Sequence, residues 1–407
     1  MAELAHFQNF AKLKDTSIEF NDITVLAGKP GTGKSYIMKF QYALMETISS
    51  IVNGTYQMQY ALMESSEQEQ GLFYAFKNIV TLTEPINILI DKGNYIEASK
   101  VFEENYEVLS EKNHNTKDLL DLFRKSLDEL SKRQSRSLLV SEDEKIHFIF
   151  RNILESNFGN INQIDEEFKY QNIFFDIDFR DNNLSIKKLS NLKSVESSLF
   201  VETPLILEFE QFLPSERFKT PYHIDSLLQE LNKNDFSFTS EETSAFINDF
   251  RNSTSEIIKG NISKGTQGFS FESEGGKSFN IVNASSGIKS IGLLQYLVTN
   301  KALKKGSVLF WEEPEVHLHP SWQLKMVDLF VELMNAGVKI VFSTHSPYMA
   351  DYLNAISKRN DYRDRISFNV LDEKDGVVTN HILDDNNWNI LQKELMDTFE
   401  DILWQYL

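Results

Sequence analysis

The chain has 407 residues, with 41 Lys and Arg against 60 Asp and Glu for a net charge of -19, and it contains no cysteine. That length allows more than one compact unit, and the missing cysteines exclude a disulfide framework and thiolate zinc sites while fitting a reducing compartment. The acidity works against a general attraction to nucleic acid, which needs clustered Lys and Arg, and leaves only a local basic surface as a route to it. Met1 to Phe7 lack a basic leader, and no run nears the ~20 apolar residues that span a bilayer, so a cytoplasmic protein without membrane contact is expected.

Phe7, Phe10, Leu13 and Ile18 stand among polar residues and predict a strand, a turn and a second strand, an N-terminal β layer. The apolar run Ile23-Thr24-Val25-Leu26 follows. It leads into Gly28-Lys29-Pro30-Gly31-Thr32-Gly33-Lys34-Ser35 and then a helical pattern from Tyr36 to about Met63, interrupted at Gly54. Strand, glycine-rich loop and helix in this order make a phosphate-binding loop. The glycines let successive N–H groups turn toward phosphate oxygens, and the helix start adds unpaired donors and its positive dipole end. In such a loop Lys34 reaches the β- and γ-phosphates and Ser35 ligates Mg²⁺.

From Glu67 to about Phe158 the chain is polar and nearly free of proline. Leu119, Leu122, Phe123, Leu127 and Leu130 mark helical spacing, over too short a stretch to establish a coiled coil. Lys125, Lys132, Arg133 and Arg136 gather in this helix but are interleaved with acids, which reads as a solvated face. Period two returns with Ile173, Phe175, Ile177 and Phe179, and Asp181-Asn182-Asn183 turns the chain into Leu184, Ile186 and Leu189. Leu199 to Val201 predict a further strand, ended by Pro204. Helical spacing spans 222 to 258, and a hairpin sets Phe269 and Phe271 opposite Phe279 and Ile281 across Gly275-Gly276.

The remainder alternates: a helix from about 288 to 301, a strand 307 to 311, a helix 322 to 334, a strand 338 to 342, and a helix near 348 to 356. Such alternation implies parallel strands with helices on their faces. A last hairpin turns at Asp375-Gly376, and 388 to 407 reads as an amphipathic helix. The expected organisation is discontinuous. Residues 1–60 carry the phosphate loop, 61–262 form a mainly helical insertion with a β-hairpin region, and 263–407 complete the nucleotide domain.

Three later stretches narrow the chemistry. Val308 to Trp311 deliver Glu312 and Glu313 at the carboxyl end of a strand, where open α/β sheets place ligands. Glu312 could hold Mg²⁺ and Glu313 could polarise an attacking water. Val341 to Thr344 end in His345, which could hydrogen-bond a γ-phosphate or that water. Ser285-Ser286-Gly287 open a helix and read either as a simple cap or as an anion site. His317 and His319 sit just before Pro320, a helix start, and read as structural.

In this order the motifs resemble ABC-type ATPases of the SMC, RecF and OLD group, over about 1–50 and 280–355, with Asn9-Phe10 similar to that group's opening strand. The chain looks most like the stand-alone bacterial ATPases of phage defence. The resemblance implies an α/β fold, an ABC-type P-loop head with a mixed sheet flanked by helices. It also implies roles: Gly28 to Ser35 as Walker A, Glu312 and Glu313 as Walker B acids, His345 as switch histidine. Ser285, Ser286 and Gly287 would be the signature that covers the nucleotide of a second copy. ATP and Mg²⁺ are then the cofactors, a head-to-tail homodimer or higher oligomer the assembly, and a separate effector protein the partner. Where Glu312 stands the family usually has Asp, so ATP binding without turnover is one alternative. A RecF-like DNA-repair or DNA-end-binding ATPase is another. A nuclease is disfavoured, because the chain after His345 lacks the acidic strand pattern of a fused Toprim domain.

Overall fold

The computed structural model describes residues 3–53, 69, 73, 76–77, 79–91, 93–137, 140–192, 195–209, 220–233, 241–265, 268–359 and 362–395. The chain divides into two compact units, one made of Met1–Glu46 and Arg151–Leu407 and the other of Thr47–Phe150. Among the described residues no helix is long and apolar enough to cross a membrane.

The strands of the first unit are β1 (Glu3–Phe10), β2 (Leu13–Phe20), β3 (Ile23–Gly28), β4 (Phe168–Gln171), β5 (Phe175–Arg180), β6 (Asn183–Lys188) and β7 (Ser198–Val201). They continue with β8 (Gly260–Gly265), β9 (Gly268–Ser273), β10 (Ser278–Asn280), β11 (Val308–Trp311), β12 (Lys339–Thr344), β13 (Ile366–Lys374) and β14 (Val377–Ile382). Eleven form one sheet in the order β6-β5-β4-β1-β2-β14-β13-β3-β12-β11-β7, and β10-β9-β8 form a second. The run β13-β3-β12-β11-β7 is parallel. Every position of β3, β7 and β11 is buried, as strands covered on both faces require.

Beyond β13 the sheet is mostly antiparallel, because its strands are joined by tight turns rather than crossovers. Asp181 and Asn182 take φ of 50° and 61° between β5 and β6, and Asp375-Gly376 take 53° and 77° between β13 and β14. Residues with φ above zero at both turn positions match the right-handed twist of the strands they join. The second sheet has Phe271 paired with Phe279 as expected, but Ile281 does not face Phe269, because β10 ends at Asn280 and Ile281 begins a 3₁₀ turn.

One face of the parallel strands buries Val25, Ala27, Val201, Trp311 and Phe342 against helices that include Leu294, Phe330 and Met349. The other face receives the helix Lys34–Val52. Its Phe40 lies with ring centroids 5.0 Å from Phe10, 4.9 Å from Tyr170, 5.9 Å from Phe168 and 6.0 Å from Phe7. Tyr42 meets Phe200 of β7 at 5.6 Å and Phe310 of β11 at 5.9 Å, two strands at the other end of the sheet order from β1 and β4. Each such ring contributes about 1.5–3 kcal/mol by leaving water, so the helix that follows the phosphate loop is anchored by aromatic burial.

The boundary expected for the insertion, 61–262, is corrected. The separate unit ends at Phe150, and the chain after it supplies β4 to β7 to the main sheet. Phe168, Tyr170, Phe175, Ile177 and Phe179 present a period-two apolar face, which is satisfied where β4 pairs with β1. The helix expected to Met63 is described through Val52, and from residue 54 it lies outside the described residues. The expected helix 388–407 is described only to residue 395, with 389–395 helical.

The second unit holds the helices Glu84–Asp91, Tyr95–Glu104, Tyr106–Lys112 and Lys117–Ser137. Leu120, Phe123, Leu127 and Leu130, at intervals of three and four, face its core, whereas Leu122 is exposed. Asn113 exchanges hydrogen bonds with the backbone of Thr81, and Gln134 bonds both Gly93 O and Ile96 N–H. Lys132 pairs with Asp128 and Glu129, and Arg133 with Glu69.

Candidate active site

Register decides the site. Trp311 stands opposite Val201 on one side and Phe342 on the other, and Thr344 stands opposite Ala27. The carboxyl ends of β7, β11, β12 and β3 therefore come level, and the residues that follow them share one rim. Glu312 N–H donates to Val201 O at 2.9 Å and Glu313 N–H to Ser343 O at 3.2 Å, continuing the ladder past the strand ends.

Glycine is required at Gly28, with φ of 139°, because a Cβ there would lie 2.3 Å from the Leu371 carbonyl oxygen on β13. Gly33, at φ 88°, turns the loop into the helix. Lys34 is buried and folds back over the loop, its Nζ donating to Gly28 O at 2.8 Å and Lys29 O at 2.9 Å. Burial lowers its pKa to about 8, against the pull of Glu313, Glu315, Glu312 and Glu394. It remains largely a cation at neutral pH and is available to an anion.

Burial, the larger effect, pushes the pKa of the Glu312 carboxylate up to about 7 while Ser35, which faces it, draws it down, and among the described residues Glu312 Oε1 is buried without a hydrogen-bond partner. Among the described residues no group of three His, Asp or Glu converges to hold a metal. A hydroxyl beside an unsatisfied carboxylate oxygen fits Mg²⁺, which uses one or two protein ligands with phosphate oxygens and water. Ser35 and Glu312 are the residues that could hold it.

Glu313 takes φ of 44°, an uncommon conformation for a side-chain-bearing residue, held by its N–H between Ser343 O and Ser343 Oγ. Its Oε1 lies 3.1 Å from His345 Nε2, and the His345 ring also faces the Gly28 backbone. Burial and the nearby Lys34 charge lower the His345 pKa, while Glu313 opposes them. Glu315 Oε1 accepts the His345 N–H at 2.6 Å and burial raises the Glu315 pKa. Lys34, Ser35, Glu312, Glu313 and His345 are thus brought together.

Ser285 to Gly287 are placed otherwise. Ser285 Oγ accepts the Ile288 N–H at 3.4 Å as the cap of the helix Ser286–Thr299, and Gly287 packs on Trp322 and Leu318. Ser285 is exposed. The buried Lys289 of the same helix pairs with Glu208 and bonds Val282 O at 3.2 Å. His319 caps the helix Pro320–Asn335, in keeping with its structural reading.

The rim also contains residues that were not singled out in the sequence. Glu202 follows β7 beside Glu312, accepts a hydrogen bond from the wholly buried His223 at 2.7 Å, and pairs with Lys39 at 3.5 Å. The His223 bond, aided by Lys39, holds its pKa down to about 2 against burial. Leu199 to Val201 ending in Glu202 repeats the pattern of Val308 to Trp311 ending in Glu312, and that was the available signal. Lys12 Nζ would lie 3.9 Å from a Cβ on Gly31, and it pairs with Glu373 at 2.7 Å.

Parallel strands ending in a phosphate loop, a hydroxyl-bound acid and a carboxylate-bonded histidine define a P-loop ATPase domain. The family model described as AAA ATPase domain matches residues 6–350, and the chain belongs to that family. It binds and hydrolyses ATP. Among solved structures, an SMC head bound to the C-terminal winged-helix domain of ScpA is 12% identical over 96% of this chain and 99% of that one, with TM-score 0.45. The SMC head domain from Thermotoga maritima is 10% identical over 94% and 99%, with TM-score 0.40. The Smc head of Pyrococcus furiosus, with an extended coiled coil, is 11% identical over 96% and 98%, with TM-score 0.38. No curated protein matches the sequence significantly.

Proposed function

We propose that this ATPase is an ABC-type molecular switch in which two copies associate head to tail around two ATP molecules. The observation that carries the reading is the Glu313–His345 contact, at 3.1 Å, on the rim that Lys34 also occupies. Lys34 exchanges its bonds to Gly28 O and Lys29 O for the β- and γ-phosphates, contributing charge rather than covalent chemistry. Ser35 and Glu312 would hold Mg²⁺, which would supply charge neutralisation at the phosphates. Glu313 takes the proton of the attacking water, and His345, tied to Glu313, keeps that carboxylate turned toward the loop.

The exposure of Ser285, at the cap of a helix whose Ser286 is half-buried and Gly287 buried, supports a role outside its own site. The free N–H groups and hydroxyls of this turn suit the γ-phosphate held by a second copy, and two-fold symmetry makes one such contact imply its mate. Hydrolysis then separates the copies, and a separate effector protein reads the change, in the manner of the phage-defence ATPases that the motifs resemble. The DNA-binding alternative has less support, since Lys132 and Arg133 are already paired with acids.

The test is molecular mass in solution with and without ATP, beside phosphate release. Wild type is expected to dimerise with ATP, Glu313→Gln to stay dimeric because it cannot turn over, and Lys34→Ala to stay monomeric. A mass indifferent to ATP in all three removes the switch.

A further inference from the structure

Residues 388–395 run past the mouth of the phosphate loop, and they are firmly docked. Trp388 donates from Nε1 to Asp351 Oδ1 at 2.9 Å and meets Phe368 edge-on at 4.9 Å, while Leu391 is fully buried and Leu395 packs on the main core. Between those two leucines on the helical residues 389–395 stands Glu394. Its side chain is 9% exposed, and its Oε2 lies 3.5 Å from Lys29 Nζ, the second residue of the loop. Among the described residues the other oxygen, Oε1, is buried with no hydrogen-bond partner. The same carboxylate acts electrostatically on Lys34.

A buried carboxylate with half its acceptor capacity unmet is costly unless something compensates. Here compensation comes from lysines that a nucleotide would claim. We propose that Glu394 is a built-in competitor of the nucleotide phosphates, occupying the electropositive mouth of the loop and setting the affinity for ATP by having to leave it. The inference rests on the loop being the ATP site. Negative phosphates and the Glu394 carboxylate cannot share Lys29 and Lys34 without strong repulsion, because like charges in a partly desolvated site are poorly screened. ATP binding therefore expels Glu394, and the helical residues around it lose their hold on the loop. Nucleotide occupancy is thereby read out at a surface far along the sequence from Gly28 to Ser35.

The experiment is ATP·Mg²⁺ affinity by calorimetry for wild type, Glu394→Gln and Lys34→Ala, with hydrogen exchange of residues 388–395 in the wild type. Glu394→Gln is expected to bind ATP about three- to tenfold more tightly, the scale of one partly exposed charge pair. In the wild type the amides of 388–395 are expected to exchange faster once ATP is bound. Equal or weaker binding by a folded Glu394→Gln overturns the proposal, weaker binding marking Glu394 as a ligand of the nucleotide. If the variant does not fold, unchanged or added protection of 388–395 in the wild type with ATP overturns it alone. Wild type that binds no ATP overturns this proposal and the switch together, whereas wild type that binds while Glu394→Gln gains nothing overturns only this one.

Discussion

Glu313 and His345 leave different strands, yet Oε1 of the first lies 3.1 Å from Nε2 of the second. The parallel pairing of Trp311 with Phe342 sets that distance, and the left-handed backbone of Glu313, at φ 44°, aims the carboxylate. A carboxylate in such a strained and tethered pose is suited to one task in one orientation.

Replacing Glu313 with Gln keeps the shape and removes the base. Phosphate release under single-turnover conditions is expected to fall by about 10²–10⁴ with ATP affinity little changed, since general-base contributions have that size. Retained hydrolysis at more than a tenth of wild type would assign the proton to another group.

His345 titrates below its ordinary 6.5, because burial and Lys34 disfavour the charged ring. The ring is therefore neutral at pH 7 and charges only as pH falls further, when it locks Glu313 into an ion pair. The acid limb of the rate profile is expected to have its midpoint below 6.5 and to shift in His345→Gln, where only protonation of the base itself remains. A midpoint above 6.5, or an unaltered limb in the variant, contradicts this.

Glu202 has a folded pKa of about 2 against an ordinary 4.5. Its contribution to stability is complete above about 4.5 and is lost as pH falls from there toward about 2. Denaturant unfolding should find Glu202→Gln less stable than wild type at pH 7, with the gap narrowing toward pH 3. Solvent reaches this side chain, so the gap is modest. A gap that widened on acidification would mean that the His223 contact does not favour the carboxylate.

Packing offers a separate test. Phe40→Ala is expected to cost about 3–5 kcal/mol, measured by equilibrium unfolding, because its ring fills the space between Phe7, Phe10, Phe168 and Tyr170. A cost below about 1 kcal/mol would mean that the cluster collapses around the gap. Gly28→Ala should also destabilise, by about 1–3 kcal/mol, since the backbone carbonyl of Leu371 cannot yield cheaply.

What could be read from the residues in order was whatever neighbours along the chain decide. Strand, loop and helix around Gly28 to Ser35, the β5–β6 turn at Asp181-Asn182, and the helical face Phe123, Leu127 and Leu130 each follow from local periodicity and turn chemistry. Tertiary structure decided which distant strands lie side by side. It put β7 against β11 and so Glu202 against Glu312, ended the separate unit at Phe150, and laid Glu394 on Lys29. No local pattern carries that information, because a strand's period says which face is apolar, while its neighbour is chosen by the packing of the whole core.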